Sequence, residues 1–269
     1  MARKVCAPAI SLALPVGSGI QIEAMVRDRI TYARAKVVTA VSMPSEPASP
    51  DDPSPDQIEA VAAYLALMRS GGSLAGADLR GLDLRKQDLR GTFLSGANLS
   101  RINFTKVDLS NADLSGANLR NAVLVDARLT GANLSGADLF FAKMGRADLG
   151  EAKLQRATLY RADLCRANLH RADASSADLR FANLGRSTLT WAAFSSADFS
   201  AANLTGADLS GSNLGKVTLS SASLVDAVLL GSDLRWANLT HADLTGAVLT
   251  GAIYDDATRW PQAFTPPPR

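Results

Sequence analysis

At 269 residues the chain has room for one large domain or two small ones. Hydrophobic residues make up 47% of it but aromatics only 6%, so a core has to be built from Ala and Leu rather than from rings. A net charge of +2 is too balanced to imply nucleic acid or an acidic membrane by itself, and no run of about 18 apolar residues marks a transmembrane helix.

The N-terminal extension, residues 1–43, is mixed in character. Arg3 and Lys4 followed by the apolar stretch Val5 to Val16 share the outline of a signal peptide. Pro8 and Pro15 interrupt that stretch, and no small-x-small cleavage site lies near Gly17. A cytoplasmic location is expected, with Cys6 and Cys165 as separate reduced thiols. Ile20 to Val41 is a candidate amphipathic helix carrying Ile22, Val26, Ile30 and Val37 on one side. Residues 44–55, PSEPASPDDPSP, are rich in proline and acid and are expected to be an extended, disordered linker. A helix over 56–71 should follow, with Ser54 as N-cap, Pro55 in the first turn, and Asp56 and Glu59 near the positive end of its dipole. Ile58, Val61, Ala62, Leu65 and Met68 line one face, and Gly71-Gly72 ends it.

From there to Tyr254 the sequence is periodic. An apolar residue recurs at every fifth position from Leu74 to Leu249, making 36 units; the centres are Leu except at Phe104, Met144, Ala174, Phe194 and Phe199. Two residues before each centre stands Ala in 26 of the 36 units, and between them a short polar residue, often Asp or Asn. Self-similarity this long outweighs local propensity.

A period of five decides the fold. A helix advances about 100° per residue, so a five-residue step smears the Leu positions around its surface and leaves no apolar stripe. In a strand, Ala and Leu two apart point to one side, but an odd period would alternate faces from unit to unit. The pattern works only if the chain turns a corner once per unit. Each Ala–Leu pair then points inward and the remaining residues outward.

The units resemble those of the pentapeptide-repeat family, A-(D/N)-L-x-x. Ala97-Asn98-Leu99-Ser100-Arg101, Ala112-Asp113-Leu114-Ser115-Gly116 and Ala207-Asp208-Leu209-Ser210-Gly211 match as they stand. The resemblance implies an all-β solenoid over residues 72–254, a right-handed quadrilateral β-helix with four units per coil. Thirty-six units would give about nine coils and a rod about 43 Å long at sheet spacing. Both open ends need covers. The 56–71 helix is the expected cap at the first coil, where Leu82, Gln87 and Thr92 replace Ala and Phe93 takes a polar slot. Trp260 and Phe264, within the C-terminal cap and tail 255–269, are expected to cover the last coil. Ala174 at a centre should leave a hole, and Phe194, twenty residues on in the same column, is placed to lean into it.

No catalytic, cofactor or metal site is expected. His170 and His241 lie too far apart to share a metal. Cys165 and His170 fall on successive faces, where a surface thiol is a better reading than a nucleophile. A G-G-x-G-x-D calcium signature, a GxGxxG and a GxxxxGK[ST] are all missing.

The outer surface carries more information. With a twenty-residue coil, Lys86, Lys106, Asp126, Arg146, Arg166 and Arg186 form one column, a mostly basic ladder. An adjacent corner collects Arg120, Phe140, Phe141, Tyr160, Arg161, Arg180 and Phe181. Arginine interleaved with exposed aromatics is the composition of an interface hot spot. Trp191 and Trp236 are further exposed rings.

These features support a non-enzymatic interaction or scaffold protein, with an unidentified protein partner or a second copy of the chain on the aromatic corner. Docking of the N-terminal segment there is the alternative within the chain. The best-known activity in the family is protection of DNA gyrase by rods that imitate duplex DNA. A 43 Å mimic would need about 25 acidic charges at one per 1.7 Å. Residues 71–269 hold 19 acids against 21 bases, which counts against it, although Asp138, Asp178 and Asp198 share a column. Direct nucleic-acid binding through the ladder is the third reading; it lacks a recognisable module.

Overall fold

The computed structural model describes residues 72–80, 84–85 and 87–268. The expected helices over 20–41 and 56–71, the linker 44–55, Cys6 and Lys86 lie outside these residues. None of the described residues is helical.

Backbone pairing sets the coil at twenty residues. Parallel bridges join the polar residue of each unit to its counterpart one coil on: Asp78 to Asn98, Asn98 to Asn118, and so on to Asp233 with Ile253. The residues on either side complete the ladder. Leu159 N–H donates to the Asp178 carbonyl at 2.7 Å, and Thr158 N–H donates to the Ala137 carbonyl at 2.9 Å. Every coil is thus clamped to the coil above and the coil below, which satisfies backbone groups that a lone short strand would leave bare.

The corner predicted for each unit is a β-turn. The Ala N–H donates to the preceding Leu carbonyl, as from Ala162 to Leu159 at 2.9 Å. Its third residue has positive φ, the type II pattern that favours Gly. Yet among the described residues 23 of these corners hold a non-Gly residue, among them Phe141 (φ 55°), Arg161 (55°), Phe181 (60°) and Trp191 (59°). The polar residue before each Leu holds the turn from outside. Its side-chain oxygen accepts from the backbone N–H two residues on, as Asp138 does from Phe140 at 3.1 Å. Some of these side chains also bond between coils, and Asp163, Asn183 and Asn203 form such a run at 2.8 and 2.9 Å.

The interior is a dry stack of Ala and Leu, with the centres from Leu79 to Leu239 at most 2% exposed. Among the described residues no buried side-chain nitrogen or oxygen lacks a partner. Where Ser replaces Ala, at Ser187, Ser212 and Ser232, the hydroxyl donates to the carbonyl three residues back and so meets its own need. Ala174, Phe194 and Phe199 are all fully buried, and the two rings meet edge to face at 5.1 Å. If Phe194 compensates for Ala174, Phe194→Leu will destabilise more than Phe199→Leu, and Ala174→Leu will recover part of that loss only in the Phe194→Leu background. Denaturant midpoints of wild type and these four variants test this, and equal costs at the two Phe positions would remove the argument.

The repeat was expected to dissolve at Tyr254, but pairing runs one strand further. Arg259 bridges Asn238, twenty-one residues back, so one extra residue is absorbed after Tyr254. Thr258 fills the Ala-like position, buried, with its hydroxyl donating to the Leu234 carbonyl at 2.9 Å. Tyr254, Trp260 and Phe264 then pack ring on ring at 5.2 and 5.3 Å. Phe264, Thr265 and Pro267 face Val248, Leu249 and Thr250 across a shallow depression, and the Tyr254 hydroxyl donates to the Pro267 carbonyl.

Candidate interaction surface

Because residues i and i+20 lie one rung apart, flat side chains in one column are brought to stacking distance. Arg120, Phe140, Tyr160 and Arg180 occupy one such column, at the second residue of successive turns. Phe140 and Tyr160 are stacked at 5.5 Å with planes 7° apart. The Arg120 guanidinium caps the outer face of the pair, 4.1 Å from the Phe140 centroid, and that of Arg180 caps the other end, 5.4 Å from Tyr160. Beside this column, at the strained third residues of the same turns, stand Phe141, Arg161 and Phe181. Phe141 meets Phe140 edge on at 4.6 Å, and Phe181 meets Tyr160 at 5.4 Å. All seven residues expected on this corner come together there.

Two of the three arginines are held by acids. Arg120 donates to Asp138 at 2.9 Å, and Arg180 donates to Asp178 through two nitrogens at 2.8 Å, with Asp198 at 3.9 Å. The acidic column Asp138, Asp178 and Asp198 therefore serves the arginines of this corner. Arg161 differs. Its guanidinium lies 5.5–5.7 Å from the centroids of Phe141, Tyr160 and Phe181, and no carboxylate among the described residues reaches it.

The basic ladder is weaker than its column suggests. Arg146 makes a bidentate pair with Asp126 at 2.7 Å on both nitrogens, so the acid within the ladder neutralises its neighbour. Arg166 and Arg186 remain exposed without a carboxylate partner among the described residues, and Lys106 is exposed and makes no ion pair, although its charge acts on Asp126. Sequence reading by columns missed a second pattern. Arg156, Arg161, Arg166 and Arg171 recur every five residues and so occupy all four corners of one coil, each at positive φ. The five-residue spacing was the signal for it.

The remaining candidates lie apart from this corner. Trp191 and Trp236 are exposed on other columns, and the Trp191 ring lies flat over Gly211, where an added Cβ would come within 2.7 Å of it. His170 Nδ1 is paired with the Thr190 hydroxyl at 2.7 Å, and Cys165 is a free thiol. Among the described residues no group of three or more His, Cys, Asp or Glu could hold a metal, and no helix is long and apolar enough to cross a membrane.

Many of the outward acids are held below the ordinary carboxylate range: Asp108 by the Ser110 hydroxyl, Asp126 by Arg146, Asp178 by Arg180 and Asp243 by the Thr245 hydroxyl. Asp88 is lowered to about 2 by Arg90. A lowered folded value means that the ionised form favours the fold. The contribution is full above the unfolded value of about 3.9 and is lost as pH falls through the folded values. The melting temperature should therefore be flat from neutrality down to about pH 5 and fall between about pH 4 and 2. A flat profile through that acid range in a pH series of thermal melts would show that these turn contacts do not stabilise the rod.

Coils of twenty residues, four turns per coil and an Ala–Leu interior define a repeat-built β-solenoid. The chain belongs to the pentapeptide-repeat family, whose model matches residues 73–105, 102–139, 142–180, 175–211 and 212–251. Among solved structures it is similar to HetL, a pentapeptide repeat protein involved in heterocyst differentiation regulation from the cyanobacterium Nostoc sp. strain PCC 7120. That match has 33% identity over 71% of this chain and 93% of HetL, with a TM-score of 0.35. It is also similar to QnrB1, a plasmid-mediated fluoroquinolone resistance protein, at 21% identity over 65% of this chain and 91% of that one, with a TM-score of 0.42. A third, Rfr23 from the cyanobacterium Cyanothece 51142, is 26% identical over 49% of this chain and 90% of its own, with a TM-score of 0.34. Comparison with curated proteins returns no match.

Proposed function

We propose that this chain is a non-enzymatic interaction protein, a rigid β-helical rod that binds a protein partner through the Phe140–Tyr160 corner. One observation carries the reading: seven Arg and aromatic side chains converge on a surface whose other outward positions are mostly Ser, Thr, Gly, Asp and Asn. Each ring is already fixed by a neighbour, so little side-chain entropy remains to be lost on binding. Pre-organised aromatic and Arg anchors are what interface hot spots are made of, at about 2 kcal/mol or more for each one truncated.

The charge distribution weighs against the DNA-mimic reading, and with it a gyrase partner. Residues 141–191 carry nine Lys and Arg against five Asp and Glu, so the central coils have the sign opposite to DNA. Residues 192–268 carry three against seven. That excess of four is well short of the ten or so charges that about 18 Å of duplex would present.

Affinity capture from the native cell tests the proposal, with wild-type bait beside a variant carrying Phe140→Ser, Phe141→Ser, Tyr160→Ser and Phe181→Ser. The partner should be lost from the variant while its circular dichroism and melting remain those of a folded rod. An unchanged set of partners would overturn the reading.

A further inference from the structure

Arg161 is the one cation of the corner with no carboxylate among the described residues, while Arg120 and Arg180 each have theirs. Its guanidinium is flanked by three rings at 5.5–5.7 Å, and the residue is exposed. A cation partly shielded by rings still has all its hydrogen-bond donors to offer, and an arriving carboxylate meets it in a medium less polar than water.

The backbone gives a second, independent sign. Phe141, Arg161 and Phe181 all stand at φ between 55° and 60°, where Gly would sit without strain. Among the described residues Gly takes eleven of the corners nearer the two ends of the rod, yet none of the thirteen from Phe141 to Ala201. Ten of these thirteen, all but Ser176, Ser196 and Ala201, carry a large side chain against the conformational preference of the turn. Strain retained where side chains are exposed is a mark of a working surface.

Resting on the binding reading above, we infer that the corner takes an acidic segment of a protein. A partner Asp or Glu pairs with Arg161, and apolar side chains beside it lie against Phe141 and Phe181. The excess of basic residues over 141–191 gives the central coils a field that draws such a segment in. A nucleic acid fits less well. The facing rings of Phe140 and Tyr160 cover each other, and guanidinium groups cover their outer faces, so no base can stack on them.

The test is selection from a displayed random dodecapeptide library on the full chain, followed by titration of the synthetic winner. Enriched peptides should carry Asp or Glu flanked by Leu, Phe or Met. Arg161→Gly should weaken the winner by on the order of tenfold or more. Its melting temperature should not fall, because Gly relieves the left-handed corner. Changing the peptide acid to its amide should cost as much on wild type and nothing further on Arg161→Gly. Apolar peptides without an acid, lost in the four-Ser variant, would overturn the acidic chemistry while upholding the corner as the binding face. Peptides indifferent to both variants would sink the two readings together. An oligo-dT strand that displaces the peptide at physiological salt would make the site a nucleic-acid one. A tenfold gain in peptide binding on neutralising Glu46, Asp51, Asp52, Asp56 and Glu59 would make the occupant the chain's own segment.

Discussion

Leu159→Ala is expected to remove about 2–5 kcal/mol of unfolding free energy, read as a lower denaturant midpoint with little change in slope. Leu159 is fully buried, with Leu139 and Leu179 one rung away on either side, both fully buried too. The coil cannot shrink around the missing atoms. Thr158 and Leu159 are tied by backbone hydrogen bonds of 2.9 and 2.7 Å to the coils on both sides, and those coils are tied onward in turn. The cavity therefore persists and adds its own cost to the lost transfer energy. Leu249 is the contrasting case. It is 7% exposed and among the described residues no coil stacks on it, so Leu249→Ala leaves a space that Phe264, Thr265 and Pro267 can settle into. In a molecule whose stability is a sum over repeats and their contacts, the terminal change should cost half as much or less. Equal costs at Leu159 and Leu249 would mean that the column does not pack as a continuous stack.

The same column logic explains what could be read in the sequence. Ala and Leu two apart, on a period of five, leave the chain no option but to bend once per unit, and the bend is there at each Leu carbonyl. The gathering of Phe140, Tyr160 and Arg180 followed from a twenty-residue coil by counting, because an in-register ladder converts sequence separation directly into spatial neighbourhood. Counting along columns gives neighbours but not how their charges combine. Asp126 and Arg146 are one rung apart, and their bidentate pairing turns an apparently basic ladder into one neutral pair and a few separate cations. The left-handed corners were hidden for a different reason. Gly at that position would have announced a type II turn, whereas Phe141, Arg161 and Trp191 announce the opposite, since bulky residues seldom adopt positive φ. Ladder bonds on both sides of each turn over-determine the backbone and override that preference. The extra residue after Tyr254 was equally hidden, because nothing in Asp255-Asp256-Ala257-Thr258 shows that Thr258 will do the work of Ala.

Changing Arg156, Arg166, Arg171 and Arg186 together to Gly should stabilise the rod, although it removes four large side chains and adds four glycines. Left-handed φ costs a residue with a Cβ about 1–2 kcal/mol, and Gly gives back about 0.5–1 through the greater freedom of its unfolded chain. The net gain is about 0.5–1 kcal/mol per corner, or about 2–4 kcal/mol if the four are independent. Independence is reasonable for Arg156 and Arg171, which stand on separate corners. Arg166 and Arg186 are stacked in one column at a rung spacing of about 4.8 Å, and removing both also relieves like-charge repulsion. None of the four is paired with a carboxylate among the described residues, so no ion pair is lost in exchange. A higher denaturant midpoint at low salt, with the excess gain shrinking as salt rises, is the expected result. A lower midpoint would show that these guanidinium groups hold the coils together. The positive charge of the central coils would then be part of the fold, and no longer a sign of a partner.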